Sequence, residues 1–117
     1  MQPTVFGGVK NSSRLAREEI FGPVLAVIPY TDLDEAIAIA NDSDYGLGGT
    51  VWTSDPDKGL DVARRVQTGS IGVNFYDLDI GAPFGGIKAS GLGRELGPEG
   101  LDSYFQYKSI YLRQERP

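Results

Sequence analysis

The chain has 117 residues, 40% of them apolar and 23% charged, with a net charge of −5. That balance excludes a disordered segment and gives no electrostatic reason to bind nucleic acid or an anionic membrane. It has neither cysteine nor histidine, so disulfides, thiolate nucleophiles, sulfur metal sites and the commonest general base are excluded from chemistry done by these residues alone.

No apolar run approaches bilayer length, and Met1-Gln2-Pro3 lacks the form of a signal peptide. The expectation is a single domain of a soluble, cytoplasmic protein. Gln2 to Val9 suits a short strand ending in the turn Gly7-Gly8, and Asn11-Ser12-Ser13 can cap a brief helical turn through Leu15-Ala16. Next come Glu18-Glu19-Ile20-Phe21-Gly22-Pro23-Val24, two carboxylates and a ring on a Gly-Pro corner. Such a corner at a strand end fits a ligand contact, and it fits a solvated acidic turn equally well.

Val24 to Ile28 is a continuous apolar run between Pro23 and Pro29, the pattern of a strand buried on both faces. Thr31 or Asp32 then caps a helix with the apolar face Leu33, Ala36, Ile37 and Ala40, ended by Asn41-Asp42-Ser43-Asp44. Tyr45 to Gly49 is a glycine-rich approach to a second strand, Thr50 to Thr53. Ser54 or Asp55 caps the next helix, with Pro56 at its start and Gly59, Val62, Ala63 and Val66 facing inward. Thr68-Gly69 stops it, and Ser70 to Asn74 reads as a third strand. The fold class is therefore α/β, a partial parallel β-α-β-α-β unit with right-handed crossovers. Three strands and two helices cannot cover both faces of such a sheet, so these residues are expected to be part of something larger.

The loop Phe75 to Ala82 follows, then Pro83-Phe84-Gly85-Gly86-Ile87-Lys88. Asp77 and Asp79 form a D-x-D pair, but no further ligands cluster near them, so a solvated loop is expected and no metal site. Gly91-Leu92-Gly93 opens like a dinucleotide fingerprint, yet Leu96 stands where the third glycine belongs. Lys88 reads as a surface lysine, and Phe84 as a core ring on a rigid corner. Pro98 can open a short helix whose Leu101, Tyr104 and Phe105 share a face. Tyr107 to Leu112 alternates as a last strand with no partner in the unit before it, which makes it a candidate for pairing with another subunit.

Taken together, these segments resemble the NAD(P)-dependent aldehyde dehydrogenases. Glu18 to Val24 is similar to the family's E-x-F-G-P motif. The resemblance continues through Ala40-Asn41, Tyr45-Gly46-Leu47, Gly69 to Asn74, Pro83 to Gly91 and Gly93 to Gly97, and ends with Tyr104 and Lys108. Gln2 to Phe6 looks like the segment just before that motif. Several motifs in the right order cover nearly the whole chain.

The resemblance implies that residues 1–97 are the C-terminal portion of a catalytic domain, and that 98–117 are a short helix, an oligomerisation strand and a tail. It implies oxidation of aldehydes to carboxylic acids with NAD or NADP. It makes Glu19 the acceptor for the nicotinamide-ribose hydroxyls and Phe21 a wall near the nicotinamide. It places Phe84 in the aldehyde tunnel and the loop Phe75 to Ala82, with Asp77, among the residues that set substrate preference. Tyr107 to Leu112 would join a homo-oligomer. The family's nucleophilic cysteine, general-base glutamate, oxyanion-hole asparagine and Rossmann domain lie upstream of Gln2. No catalytic residue is therefore expected in this chain, which should be inactive alone, as a truncated reading frame would be. The alternative is a non-catalytic interaction module that pairs through its last strand.

Overall fold

The computed structural model describes residues 2–113. Nine strands and helices precede a final helical turn: β1 (Thr4–Phe6), α1 (Arg14–Arg17), β2 (Val24–Ala26), α2 (Leu33–Asn41), β3 (Tyr45–Gly46), β4 (Gly48–Val51), α3 (Pro56–Arg65), β5 (Ser70–Val73) and β6 (Ile87–Lys88). The turn is a 3₁₀ segment over Pro98–Tyr104. The chain is mixed α/β with parallel pairing, as expected.

Both longer helices start where the sequence places them. Asp32 caps α2 by accepting from the Glu35 amide at 2.9 Å, and Asp55 caps α3 by accepting from the Asp57 and Lys58 amides at 3.1 and 3.2 Å. Pro56 opens α3, where its missing N–H removes no helical bond. Arg64 and Arg65 lie in its last turn, against the negative end of the helix dipole.

The sheet differs from the expectation. The strands form three separate pairs: β1 with β2 in parallel, β4 with β5 in parallel, and β3 with β6 antiparallel. The continuous three-stranded β-α-β-α-β sheet is not formed, because the crossover through α2 does not make β2 and β4 neighbours. A single crossover can pass over intervening strands, and local patterning carries no information about how many it skips. The antiparallel pair β3–β6 went unread because each strand is only two residues long.

Burial follows from this topology. Only Ile37 and Val62 are buried apolar side chains among the described residues, with 6% and 8% of their surface exposed. The radius of gyration is 20.1 Å, against about 13 Å for a compact domain of this length. The elements cannot cover one another. Residues 105–113 are exposed and carry no strand, so the predicted Tyr107–Leu112 strand is unpaired among the described residues. The Leu101, Tyr104 and Phe105 face is exposed too, at 56, 84 and 64%.

Candidate functional site

The acidic turn hangs between two anchored points. α1 ends at Arg17, and β2 begins at Val24, tied by the ladder that pairs Thr4 with Val24. Between them Phe21 adopts φ = 53°, left-handed backbone that a bulky residue occupies only at a cost. Its ring is 93% exposed. The two carboxylates that look alike in sequence differ in space. Arg14 donates from Nε and Nη2 to both oxygens of Glu18 at 2.7 and 3.0 Å, an i,i+4 pair that occupies that carboxylate. The bond to Glu18 also raises the Arg14 pKa. Glu19 has no hydrogen-bond or ion-pair partner among the described residues and keeps both oxygens as open acceptors.

Glu19 lines a cavity of about 970 Å³ whose walls are the apolar face of α2 (Ala36, Ile37, Ala40), β4 and the Gly59–Val62 side of α3. Phe84 lines a different hollow of about 690 Å³ with Arg94, Leu96 and Tyr104. Leu47 and Ser90 belong to both walls. Glu19 and Phe84 thus lie on two adjoining cavities. Phe21 and Asp77 line neither.

Phe84 is half-buried and exchanges both backbone bonds with Glu95 at 2.7 Å. This isolated bridge fixes the Pro83–Gly86 corner against the 93–97 loop. Arg94 braces the same corner, donating from Nη1 to the Gly86 and Gly93 carbonyls at 3.0 and 2.6 Å. Asp77 Oδ1 accepts from the Leu78 amide and Asp79 Oδ1 from the Gly81 amide, both at 2.8 Å. These are turn contacts, and no group of three acidic side chains suited to a metal occurs among the described residues.

Lys88 is an exposed lysine, as expected, but its ammonium is not free. Its Nζ donates to the Asn41 and Ser43 carbonyls at 2.7 and 3.0 Å, satisfying orphan acceptors at the end of α2. Asn41 completes that junction by donating from Nδ2 to the Arg65 carbonyl at 2.9 Å and accepting the Gln67 amide at 2.7 Å. The one signal for Asn41 and Lys88 in the sequence is that both fall inside segments of the family resemblance. Nothing local marks their contacts, which span 24 to 47 positions. No described helix is long and apolar enough to cross a membrane.

Known proteins agree with this picture. The family model described as the aldehyde dehydrogenase family matches residues 1–110. The geranial dehydrogenase of Castellaniella defragrans is 62% identical over 112 residues, covering 96% of this chain and 23% of that protein. A mitochondrial aldehyde dehydrogenase of Mesocricetus auratus is 44% identical over 115 residues, with 97% and 23% covered. Among solved structures, a Mycobacterium tuberculosis aldehyde dehydrogenase complexed with NAD+ superposes with a TM-score of 0.93 at 54% identity. That match covers all of this chain and 24% of the solved one. The chain spans under a quarter of the length of these relatives, and with its motifs, fold and family match in accord it belongs to the aldehyde dehydrogenase family.

Proposed function

We propose that this chain supplies one wall of a nicotinamide-dependent aldehyde dehydrogenase site, in an enzyme that oxidises aldehydes to carboxylic acids, and that it is inactive by itself. The observation that carries the reading is the difference between the two neighbouring glutamates. Glu18 is consumed by Arg14, whereas Glu19 presents two open acceptors on a turn that also holds an unpacked aromatic ring. Two acceptors fit a vicinal diol, and an exposed ring on strained backbone fits a flat heterocycle beside it. These groups suit the ribose and nicotinamide of NAD or NADP, which supplies the hydride acceptor when bound. The chain's own residues hold and orient; none of them activates the aldehyde.

Phe84, fixed by its bridge to Glu95, offers a ring to the aldehyde's apolar part. The loop Phe75 to Ala82 exposes Phe75, Leu78 and Ile80 at 67, 55 and 80%, and Asp77 lies among them; this composition favours an apolar aldehyde. The missing thiolate and general base come from the rest of such an enzyme. Residues 107–112 support a second, compatible role in joining subunits. Tyr107, Ile110, Tyr111 and Leu112 are 79–92% exposed with no strand partner among the described residues.

The test is a chimera in which this chain replaces the matching segment of the geranial dehydrogenase relative, assayed beside the purified chain for formation of reduced nicotinamide from aldehydes. The chimera is expected to turn over and the isolated chain is not. In the chimera Glu19→Gln is expected to raise the KM for NAD+ about tenfold, the loss of a charge-assisted bond. Turnover by the chain alone overturns its inactivity. An unchanged KM in Glu19→Gln overturns the assignment of Glu19.

A further inference from the structure

The last turn of α2 gathers donors from distant parts of the chain. Lys88, Asn41 and the backbone of Arg65 and Gln67 fasten it to the 87–90 loop and to the end of α3. Onto that fixed point comes Arg17, the final residue of α1. One guanidinium nitrogen donates to the Asp42 carbonyl and a second to the Asp42 carboxylate. Asn11 Nδ2 reaches the same carboxylate oxygen at 2.8 Å. A donor from just before α1 and one from its last residue therefore meet at Asp42.

α1 needs such a fastening. It has four residues, buries no side chain, and its N-cap Ser13 makes no side-chain capping bond. A helix that short does not persist on backbone bonds alone. The Arg14–Glu18 pair lies wholly within the same stretch and cannot tie it to anything else. Arg17 can, because its planar fork meets two acceptors on one residue.

We propose that Arg17 and Asp42 form a latch whose role is positioning: it sets where Glu19 and Phe21 are held relative to a bound nicotinamide nucleotide. Glu19 follows Arg17 by two residues, and the turn is pinned at its other end by β2. With both ends fixed, the left-handed backbone at Phe21 is the conformation that closes the span. With the Arg17 end released, the turn swings about β2 and that backbone relaxes. The inference rests on reading Glu19 and Phe21 as cofactor contacts, but the latch has a readout of its own.

That readout is ¹⁵N relaxation of the full chain, compared among the wild type, Arg17→Met, Arg17→Lys and Arg14→Met. In the wild type, order parameters for Glu19, Ile20 and Phe21 are expected near the rigid value of about 0.85, falling below about 0.6 in Arg17→Met. The α3 amides and the Tm should not move. Arg17→Lys should recover part of the loss, since one ammonium serves only one acceptor well. Arg14→Met should leave Phe21 ordered. The latch is overturned if the wild-type turn is already mobile, if Arg14→Met loosens it as much, or if Arg17→Met disorders α3 as well. No nucleotide is present in this measurement, so a failed latch is distinguishable from a failed Glu19 assignment, which the chimera's KM reports.

Discussion

Two crossovers in this chain obey the same local rules and end differently. In β4–α3–β5 the strands flanking the helix pair directly, in a ladder running from Gly48–Ser70 to Val51–Val73, and α3 packs on both. Asn74 closes the unit by accepting the Thr53 amide and donating to the Thr53 carbonyl, each at 2.7 Å. In β2–α2–β4 the helix has the same aspartate cap and the same apolar spacing, yet its flanking strands are not neighbours. Its apolar face borders the same open cavity as the Gly59–Val62 side of α3, but without a strand pair to pack on as α3 has. Capping and amphipathic pattern make a helix. Strand adjacency decides whether that helix finds a surface. The groups proposed for the cofactor sit on the open half, which suits residues whose partners lie outside these 117.

The closed half can be broken at its glycines, and the largest effect is expected at Gly69. A Cβ there would lie 1.6 Å from the Gly85 carbonyl oxygen. Backbone cannot yield that far without expelling the Pro83–Gly86 corner, so Gly69→Ala should cost about 3 kcal/mol or more. Circular dichroism should show loss of the cooperative thermal transition. Gly59→Ala is the sharper probe because two effects oppose. Alanine gains about 1 kcal/mol of helix propensity, but its Cβ would meet Val73 Cγ1 at 2.5 Å and Thr53 Cγ2 at 3.0 Å. Val73 is β-branched and stiff, so packing should win, with net destabilisation of about 1–2 kcal/mol in urea melts. A stabilised Gly59→Ala chain would mean that α3 is not seated on β5.

The same contrast explains how far the sequence could be read. Caps, helix faces and the presence of strands are legible because they rest on neighbours within a few positions: Asp32 and Asp55, the spacing of Leu33, Ala36, Ile37 and Ala40, and the run after Pro23. The expected burial of that run on both faces is not realised, Leu25 and Val27 being 58 and 45% exposed, because β2 pairs only with β1 among the described residues. Strand order is not legible, since the distance between β2 and β4 depends on what lies between them and leaves no mark on either. Glu19 and Glu18 were told apart only by resemblance, although Arg14, four residues before Glu18, was the local clue to which carboxylate is occupied. The Lys88 and Arg17 contacts were illegible because their acceptors are backbone carbonyls and a distant aspartate, which no residue pattern announces. Phe84 reads from its neighbours as a core ring on a rigid corner; it is only half-buried, and the residue that fixes it across the bridge, Glu95, lies in a loop that offers no periodicity.

Matched cap deletions compare the halves directly. Asp55→Ala and Asp32→Ala each remove a carboxylate that satisfies helix amides, a loss of about 1 kcal/mol in either helix. In α3 that loss should appear in the global transition, as a lower Tm, because the helix and its strands unfold together. In α2 it should appear as faster hydrogen exchange confined to residues 36–42, with the Tm nearly unchanged. Equal shifts in Tm would show that α2 belongs to the same cooperative unit and that the open cavity does not isolate it.

The smallest effect concerns acid. The bond from Arg17 holds the Asp42 carboxyl below its ordinary range, with lesser support from Asn11 and Lys88, while the same bond raises Arg17. A depressed carboxyl pKa contributes stability that is present above the unfolded value, about 3.9, and is lost as pH falls through the folded one. Above that window the latch is intact; within it Asp42 takes up a proton and Arg17 keeps only the backbone carbonyl. Both side chains are partly exposed, at 36 and 62%, so solvent screens the pair and the change should stay local. A ¹³C titration of the Asp42 carboxyl should therefore give a midpoint below that of a free aspartate, moving upward in Arg17→Met. The mobility of Glu19 to Phe21 should rise over the same interval while α3 is unaffected. A midpoint that ignores Arg17→Met would separate the aspartate from the acidic turn and leave α1 without its tie to the end of α2.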